Sequence, residues 1–191
     1  MKLINIINSY STEGDVPRFY FKADTALLRN NDAFYIPDGV GRVVAEPHIV
    51  LKVSRLAKCF RERFASRCVE VVMGGVSFTP IEQLEALRRE GHPWDAAVGF
   101  DHSSALSLVS LGRDAMLQGA RFCINDEEVL TLSVSDMRFT PDKIISSLSE
   151  AATLRIGDLV YLGSPRSFDI KAGDNLKLYM GEALLLNFDV K

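Results

Sequence analysis

The most suggestive chemical grouping in the sequence is Glu46-Pro47-His48. Residues two apart leave the same face of a β-strand, so a carboxylate and an imidazole at this spacing can converge on one point. That pair suits zinc or another transition metal. The competing reading is two solvated polar residues at a strand's start or edge, where the missing N–H of Pro47 costs no ladder hydrogen bond. The chain has only 3 histidines, and the other two offer less. His92, in the turn Gly91-His92-Pro93-Trp94, reads as an exposed turn residue. Asp101-His102-Ser103 carries the residue types of a nucleophilic triad, but neighbours in sequence cannot converge as a triad must. The 3 cysteines, Cys59, Cys68 and Cys123, are an odd number without a C-x-x-C spacing, so they read as free thiols and not as a disulfide framework or a thiolate zinc site. Asp38-Gly39-Val40-Gly41 and Gly74-Gly75 are too short to be phosphate-binding fingerprints.

The elements that must position these residues belong to a globular chain of 191 residues, with 47% hydrophobic and 25% charged residues and a net charge of −3. This favours one domain over residues 1–191 with a sizeable core. The mild acidity and the lack of any basic run beyond Arg88-Arg89 disfavour a nucleic-acid partner. No apolar run approaches the roughly 20 residues of a membrane span, and the N-terminal segment is too short and Asn-interrupted for a secretory signal. The expected setting is the cytoplasm, with no membrane partner.

Segments 2–7, 48–53, 121–124, 158–162, 175–180 and 183–190 are rich in β-branched and aromatic residues and are predicted as strands. A helix is predicted from Thr79-Pro80-Ile81-Glu82 to Gly91, with Thr79 as N-cap, Pro80 at the first helical position and Glu82 closing a capping box. Its stripe is Ile81, Leu84 and Leu87. A second helix starts at Thr140-Pro141-Asp142, and 61–72 is a weaker third. The turns Ile156-Gly157-Asp158 and Ala172-Gly173-Asp174 each launch a strand. The pattern is α+β, with a large and mostly antiparallel sheet system.

Lys22-Ala23-Asp24, Gly91-His92-Pro93-Trp94, Gly99-Phe100-Asp101, Ser135-Asp136-Met137, Gly157-Asp158-Leu159 and Gly163-Ser164-Pro165 together resemble, in order and spacing, the fumarylacetoacetate hydrolase family of the short type. The resemblance covers nearly the whole chain. It implies a β-rich mixed-sheet roll of the family's C-terminal-domain type, a homodimer, and Mg²⁺- or Mn²⁺-assisted hydrolysis, isomerisation or decarboxylation of small 2-oxo acids such as acylpyruvates through an enolate. A hard divalent ion would polarise the 2-oxo acid and take up the developing charge.

The departures from the family pattern fall on that chemistry. The Glu-x-Glu ligand pair becomes Glu46 and His48, and the ligand aspartate becomes Ser77. With both carboxylates gone, Mg²⁺ has little reason to bind, and a softer divalent metal at Glu46 and His48 is the remaining metal option. Val98 stands where the family lysine precedes Gly-Phe-Asp, Leu130 where a glutamine is common and Val134 where a threonine is usual. No histidine lies between Asn8 and Pro17 to match the family's lid His/Glu pair, although Glu13 does. The sequence therefore points to a non-catalytic binding or regulatory homologue. Its rival is an atypical metal-dependent enzyme of a small 2-oxo acid, with Asp101 or Ser164 orienting the substrate. Packing of Arg166 and Phe168 into the vestigial pocket is a further possibility.

Overall fold

A computed structural model describes residues 1–12 and 14–191. In chain order the elements are β1 (Leu3–Ile6), β2 (Phe19–Lys22), β3 (Leu27–Leu28), β4 (Val43–Val53), β5 (Val69–Pro80), α1 (Ile81–Glu90), α2 (Asp95–Val98), β6 (Ser104–Gly112), β7 (Ala120–Ile124), β8 (Glu127–Leu132), α3 (Pro141–Ala151), β9 (Leu159–Tyr161), β10 (Phe168–Ile170), β11 (Asn175–Met180) and β12 (Ala183–Asp189). An eight-stranded mixed sheet runs β2-β1-β9-β4-β5-β6-β3, with β10 also paired to β4, and a four-stranded sheet runs β12-β11-β7-β8. The β1/β9 and β3/β6 pairs are parallel and the other pairs antiparallel. The expected α+β class and mixed-sheet roll are thus found. No helix among the described residues is long and apolar enough to cross a membrane.

The long hairpin of β4 and β5 is the spine of the large sheet. On one face its Ala45, Ile49, Leu51, Val72, Val76 and Phe78 join Phe122, Leu176, Leu178, Leu185 and Phe188 of the small sheet and Ile144, Ile145 and Leu148 of α3 in one buried cluster. Burial at roughly 25 cal/mol per Å² makes such a cluster the main stabilising term. Gly74 and Gly75 lie where β5 must be thin. A Cβ at Gly74 would meet Leu178 Cδ2 at 2.7 Å in the small sheet, and one at Gly75 would meet Tyr161 Cε1 at 2.5 Å on the opposite face. Close approach of neighbours explains the glycine pair.

Several local expectations change. Thr140 caps α3 as predicted, accepting the Lys143 N–H, and Gly91 ends α1 in the left-handed region. The capping box at α1 does not form: Thr79 is a buried β5 residue, Pro80 is the N-cap, and Glu82 instead accepts the Arg42 N–H at 2.9 Å and pairs with its guanidinium. Residues 61–72 are not an α-helix. A 3₁₀ segment, Glu62–Cys68, gives way to β5, because Val69, Val71 and Val72 pair with β4. Pro47 is not at a strand end but inside β4, opposite Val76. On the other side of β4, β10 covers only 43–45 and β9 only 50–52. Backbone groups alternate sides along a strand, and the Ile49 carbonyl accepts Leu162 N–H on that side, so the Pro47 nitrogen faces the gap where no ladder bond is lost.

Candidate active site

The gap between β9 and β10 admits the 162–167 loop over the second face of the large sheet. There, Asn5, Tyr20, Glu46, His48, Thr79, Arg88, Trp94, Val98, Ser164 and Ser167 are among the residues lining a pocket of about 160 Å³, roofed by α1 and α2. At roughly 30 Å³ per water, this is room for a ligand of a few non-hydrogen atoms. It is smaller than most small-molecule sites, and polar side chains make up about half of its lining.

His48 is held from two sides. Gly163 N–H donates to its Nδ1 at 3.1 Å, and the Tyr161 ring meets it edge-on at 5.4 Å, with the Tyr161 hydroxyl anchored on the Ala105 carbonyl. Gly163 has φ +95°, and a Cβ there would lie 2.9 Å from the Ile6 carbonyl oxygen, so only glycine delivers this N–H. Burial and then the charge of Lys22 hold the imidazole down at about 3, so it is neutral at ordinary pH. An Nδ1 that accepts leaves the ring proton on Nε2. That Nε2 is buried and has no partner among the described residues. Also in the pocket wall, Asn5 Oδ1 accepts the Ser77 hydroxyl at 2.9 Å, and Asn5 Nδ2 is a second buried donor without a partner among the described residues.

Glu46 is treated differently. It reaches the pocket half-buried, and no described residue gives it a hydrogen bond or an ion pair. Burial raises its pKa, against the pull of Lys22 and then Arg88. Lys22 lies beneath the pocket, 3% exposed, donating to the Ser103 carbonyl and to the Ser104 hydroxyl at 2.8 Å. Burial brings its amine down to about 7, with Glu46 opposing that shift. Tyr20 is raised by burial and then by the Glu46 charge, so its phenol stays protonated. Arg88 is exposed at the mouth, stacked 4.6 Å from the Trp94 ring.

Of the residues singled out in the sequence, the structure gathers Glu46, His48, Ser164 and Val98 around the pocket, with Ser77 behind it. Glu46 and His48 do share one face. Ser77, opposite Glu46 in the β4/β5 register, is fully buried and occupied by Asn5. Asp101 is not brought in: it is exposed with His102 in the turn before β6. Ser164 lines the pocket, with its hydroxyl donating to the Arg166 carbonyl at 2.7 Å. Arg166 and Phe168 do not fill the pocket; Arg166 stacks on Phe168, which packs against Phe122 in the core. His92 is exposed and pairs with Glu90. Glu13 lies outside the described residues. Sequence reasoning passed over Asn5 and Tyr20 and used Lys22 only as part of the family resemblance, without a site role; the available signal was polar residues at period two in short apolar strands, Tyr20 and Lys22 above all.

The donor set does not fit the divalent ion that the resemblance implies. No three His, Cys, Asp or Glu side chains among the described residues stand close enough to hold a metal. Glu46 is the one carboxylate in the pocket wall. His48 has no lone pair to offer, because Nδ1 is occupied and Nε2 carries the proton. The Ser77 hydroxyl is neutral and already committed. A magnesium or manganese ion asks for several oxygen ligands, and a zinc ion for deprotonated nitrogen or sulfur.

The pocket thus lies on a mixed-sheet roll, formed by strand-borne polar residues and closed by one loop. The fumarylacetoacetate (FAA) hydrolase C-terminal family matches residues 5–190, and the chain belongs to this family. It is similar to the oxaloacetate tautomerase YcgM of Escherichia coli (strain K12), 23% identical over 165 residues covering 84% of this chain and 75% of the relative. It is also similar to a fumarylpyruvate hydrolase of a Ralstonia species, 25% identical over 162 residues covering 83% of this chain and 84% of the relative. Among solved structures, the fumarylpyruvate hydrolase of Pseudomonas aeruginosa in complex with Mn²⁺ and pyruvate superposes with a TM-score of 0.88 at 17% identity, over 99% of this chain and 88% of that one. At that identity the superposition speaks for the fold.

Proposed function

We propose that this chain is an enzyme of small 2-oxo acids that interconverts their keto and enol forms in the pocket of Glu46. The single observation that carries this reading is Glu46 itself: the one carboxylate of the pocket wall, half-buried and without a hydrogen-bond partner among the described residues. A carboxylate so placed is suited to general base work. It would take a proton from C3 of the oxo acid; the C–H electron pair forms the C2–C3 double bond, and the carbonyl pair moves onto the C2 oxygen. Returning that proton to the oxygen gives the enol, so one carboxylate suffices for the whole cycle. Donors beside the oxygen would hold the enolate charge.

Hydrolysis of an acylpyruvate asks more, since a water must also be activated and a carbon–carbon bond broken, and the pocket wall offers no second carboxylate. The names of the relatives, a tautomerase and a hydrolase, support catalysis over the non-catalytic role that the sequence departures suggest. The lone carboxylate favours isomerisation between the two.

The test is the ultraviolet absorbance of oxaloacetate enol as it relaxes to the keto form, read with wild type and Glu46→Gln. A general base contributes about 10²–10⁴-fold, and the variant should lose at least the lower figure while staying folded. Cleavage products in place of keto–enol exchange, or an unchanged rate in Glu46→Gln, would overturn the reading.

A further inference from the structure

We infer that this site grips the oxo-acid end of its ligand directly with the side-chain donors His48 Nε2–H and Asn5 Nδ2, and not through a divalent metal. The inference rests on the keto–enol reading for the identity of the ligand, and on separate observations for the manner of binding.

Two buried donors in one pocket wall are without acceptors among the described residues: His48 Nε2, on a side chain 3% exposed, and Asn5 Nδ2, on one 1% exposed. Buried donors are ordinarily paired, and two on residues lining one pocket call for an acceptor from outside. Gly163 N–H can only donate, so it fixes the His48 tautomer, and Asn5 Oδ1 accepts the Ser77 hydroxyl, so each side chain has its acceptor atom occupied and its donor atom left over. A metal cation cannot satisfy an N–H donor, whereas a carboxylate or enolate oxygen satisfies both.

The charges agree. Glu46 is the sole acidic group of the wall, while Arg88 stands at the mouth and Lys22 beneath the floor, both coupled to Glu46. An anion therefore meets a site that is not net negative. At one position where the resemblance implies a metal ligand, His48 now presents a hydrogen-bond donor.

Oxalate, a planar mimic of the pyruvate enolate, is the probe. Its binding to the full chain is measured by titration calorimetry in EDTA and again with Mn²⁺, for wild type, Asn5→Asp, His48→Glu and His48→Gln, each checked for folding by thermal melt. Binding in EDTA at an affinity that Mn²⁺ changes less than threefold is expected. Hydrogen bonds to a charged group are worth about 10–100-fold in affinity each, so Asn5→Asp and His48→Glu should weaken binding by that much, their carboxylates offering no donor. Glutamine can accept from Gly163 and still donate, so His48→Gln should recover most of the affinity. Binding that needs Mn²⁺, or binding in EDTA that ignores both Asn5→Asp and His48→Glu, would overturn this inference and leave the keto–enol reading standing. Turnover of oxaloacetate enol in EDTA that is lost in both variants would support it. No oxalate binding under either condition, together with no turnover, would overturn both.

Discussion

Two carboxylates, Glu46 in the pocket and Asp158 in the turn before β9, show opposite uses of the same group. Asp158 is almost wholly buried, and both of its oxygens are hydrogen-bonded: Lys2 N–H at 2.8 Å on one, Arg155 N–H at 2.8 Å and the Lys2 ammonium on the other. Burial by itself would raise its pKa, but these bonds outweigh it and hold the carboxyl below its ordinary range. Glu46 is less buried and has none of these bonds, so burial prevails and its pKa rises. A group that ties a fold together is satisfied by the protein; one kept for a ligand is left for the ligand to satisfy.

The comparison is sharpest in a pair of substitutions. Glu46→Gln is expected to cost at least 100-fold in keto–enol turnover and nothing in stability, since it removes a half-buried charge without a hydrogen-bonded partner. Asp158→Asn should reverse this, leaving turnover intact and lowering stability at neutral pH by about 1–3 kcal/mol in urea titrations. The pH signatures also oppose each other. The depressed Asp158 pKa adds stability above the unfolded value near ~3.9, lost as pH falls through the folded value; the raised Glu46 pKa adds stability below ~4.3, lost as pH rises through its folded value. Urea midpoints against pH for the two variants would expose the signs. If both lose turnover, or both lose stability, the contrast between the two carboxylates fails.

Gly75→Ala probes the join between scaffold and site. Its Cβ would press on the Tyr161 ring at 2.5 Å and on Val50 Cγ2 at 2.7 Å, both fully buried. Overpacking of this kind costs about 1–3 kcal/mol. Tyr161 also braces His48, so oxalate affinity should fall with stability, which thermal melts and calorimetry on the same sample would show. A loss of stability with full affinity would mean that His48 does not depend on its aromatic neighbour.

Much of the scaffold was legible because local chemistry and tertiary context agree there. Thr140-Pro141 starts α3 and Gly91 ends α1 for reasons complete within a few residues. The strands around Val50, Phe122 and Leu178 show in their own composition. Where context overrides, the reading failed: Glu82 had a helix-start pattern, but Arg42 lay close enough to claim it, and 61–72 held helix formers whose valines found strand partners. In the site, Glu46 and His48 could be placed on one face from spacing alone. Their meaning could not, because the His48 tautomer is set by Gly163, 115 residues away, and the partner of Asn5 Oδ1 is Ser77, 72 residues away. Asp101 had the right type in a suggestive motif, and the turn that carries it faces solvent. Single polar residues in apolar strands, such as Asn5 and Lys22, gain a role only once the neighbouring strand is known.

The smallest expected effect marks the boundary of the site. Thr140 caps α3 by accepting the Lys143 N–H at 3.1 Å, and α3 packs Ile144, Ile145 and Leu148 into the cluster on the face of the large sheet away from the pocket. Loss of an N-cap side chain costs about 1 kcal/mol, so Thr140→Ala should lower the urea midpoint slightly. Because α3 shares no residue with the pocket wall, keto–enol turnover and oxalate affinity should stay at wild-type values. A change in either would mean that the two faces of the large sheet are coupled through β4 and β5. The unpaired donors of the pocket would then depend on the packing of the opposite face as well as on Gly163 and Ser77.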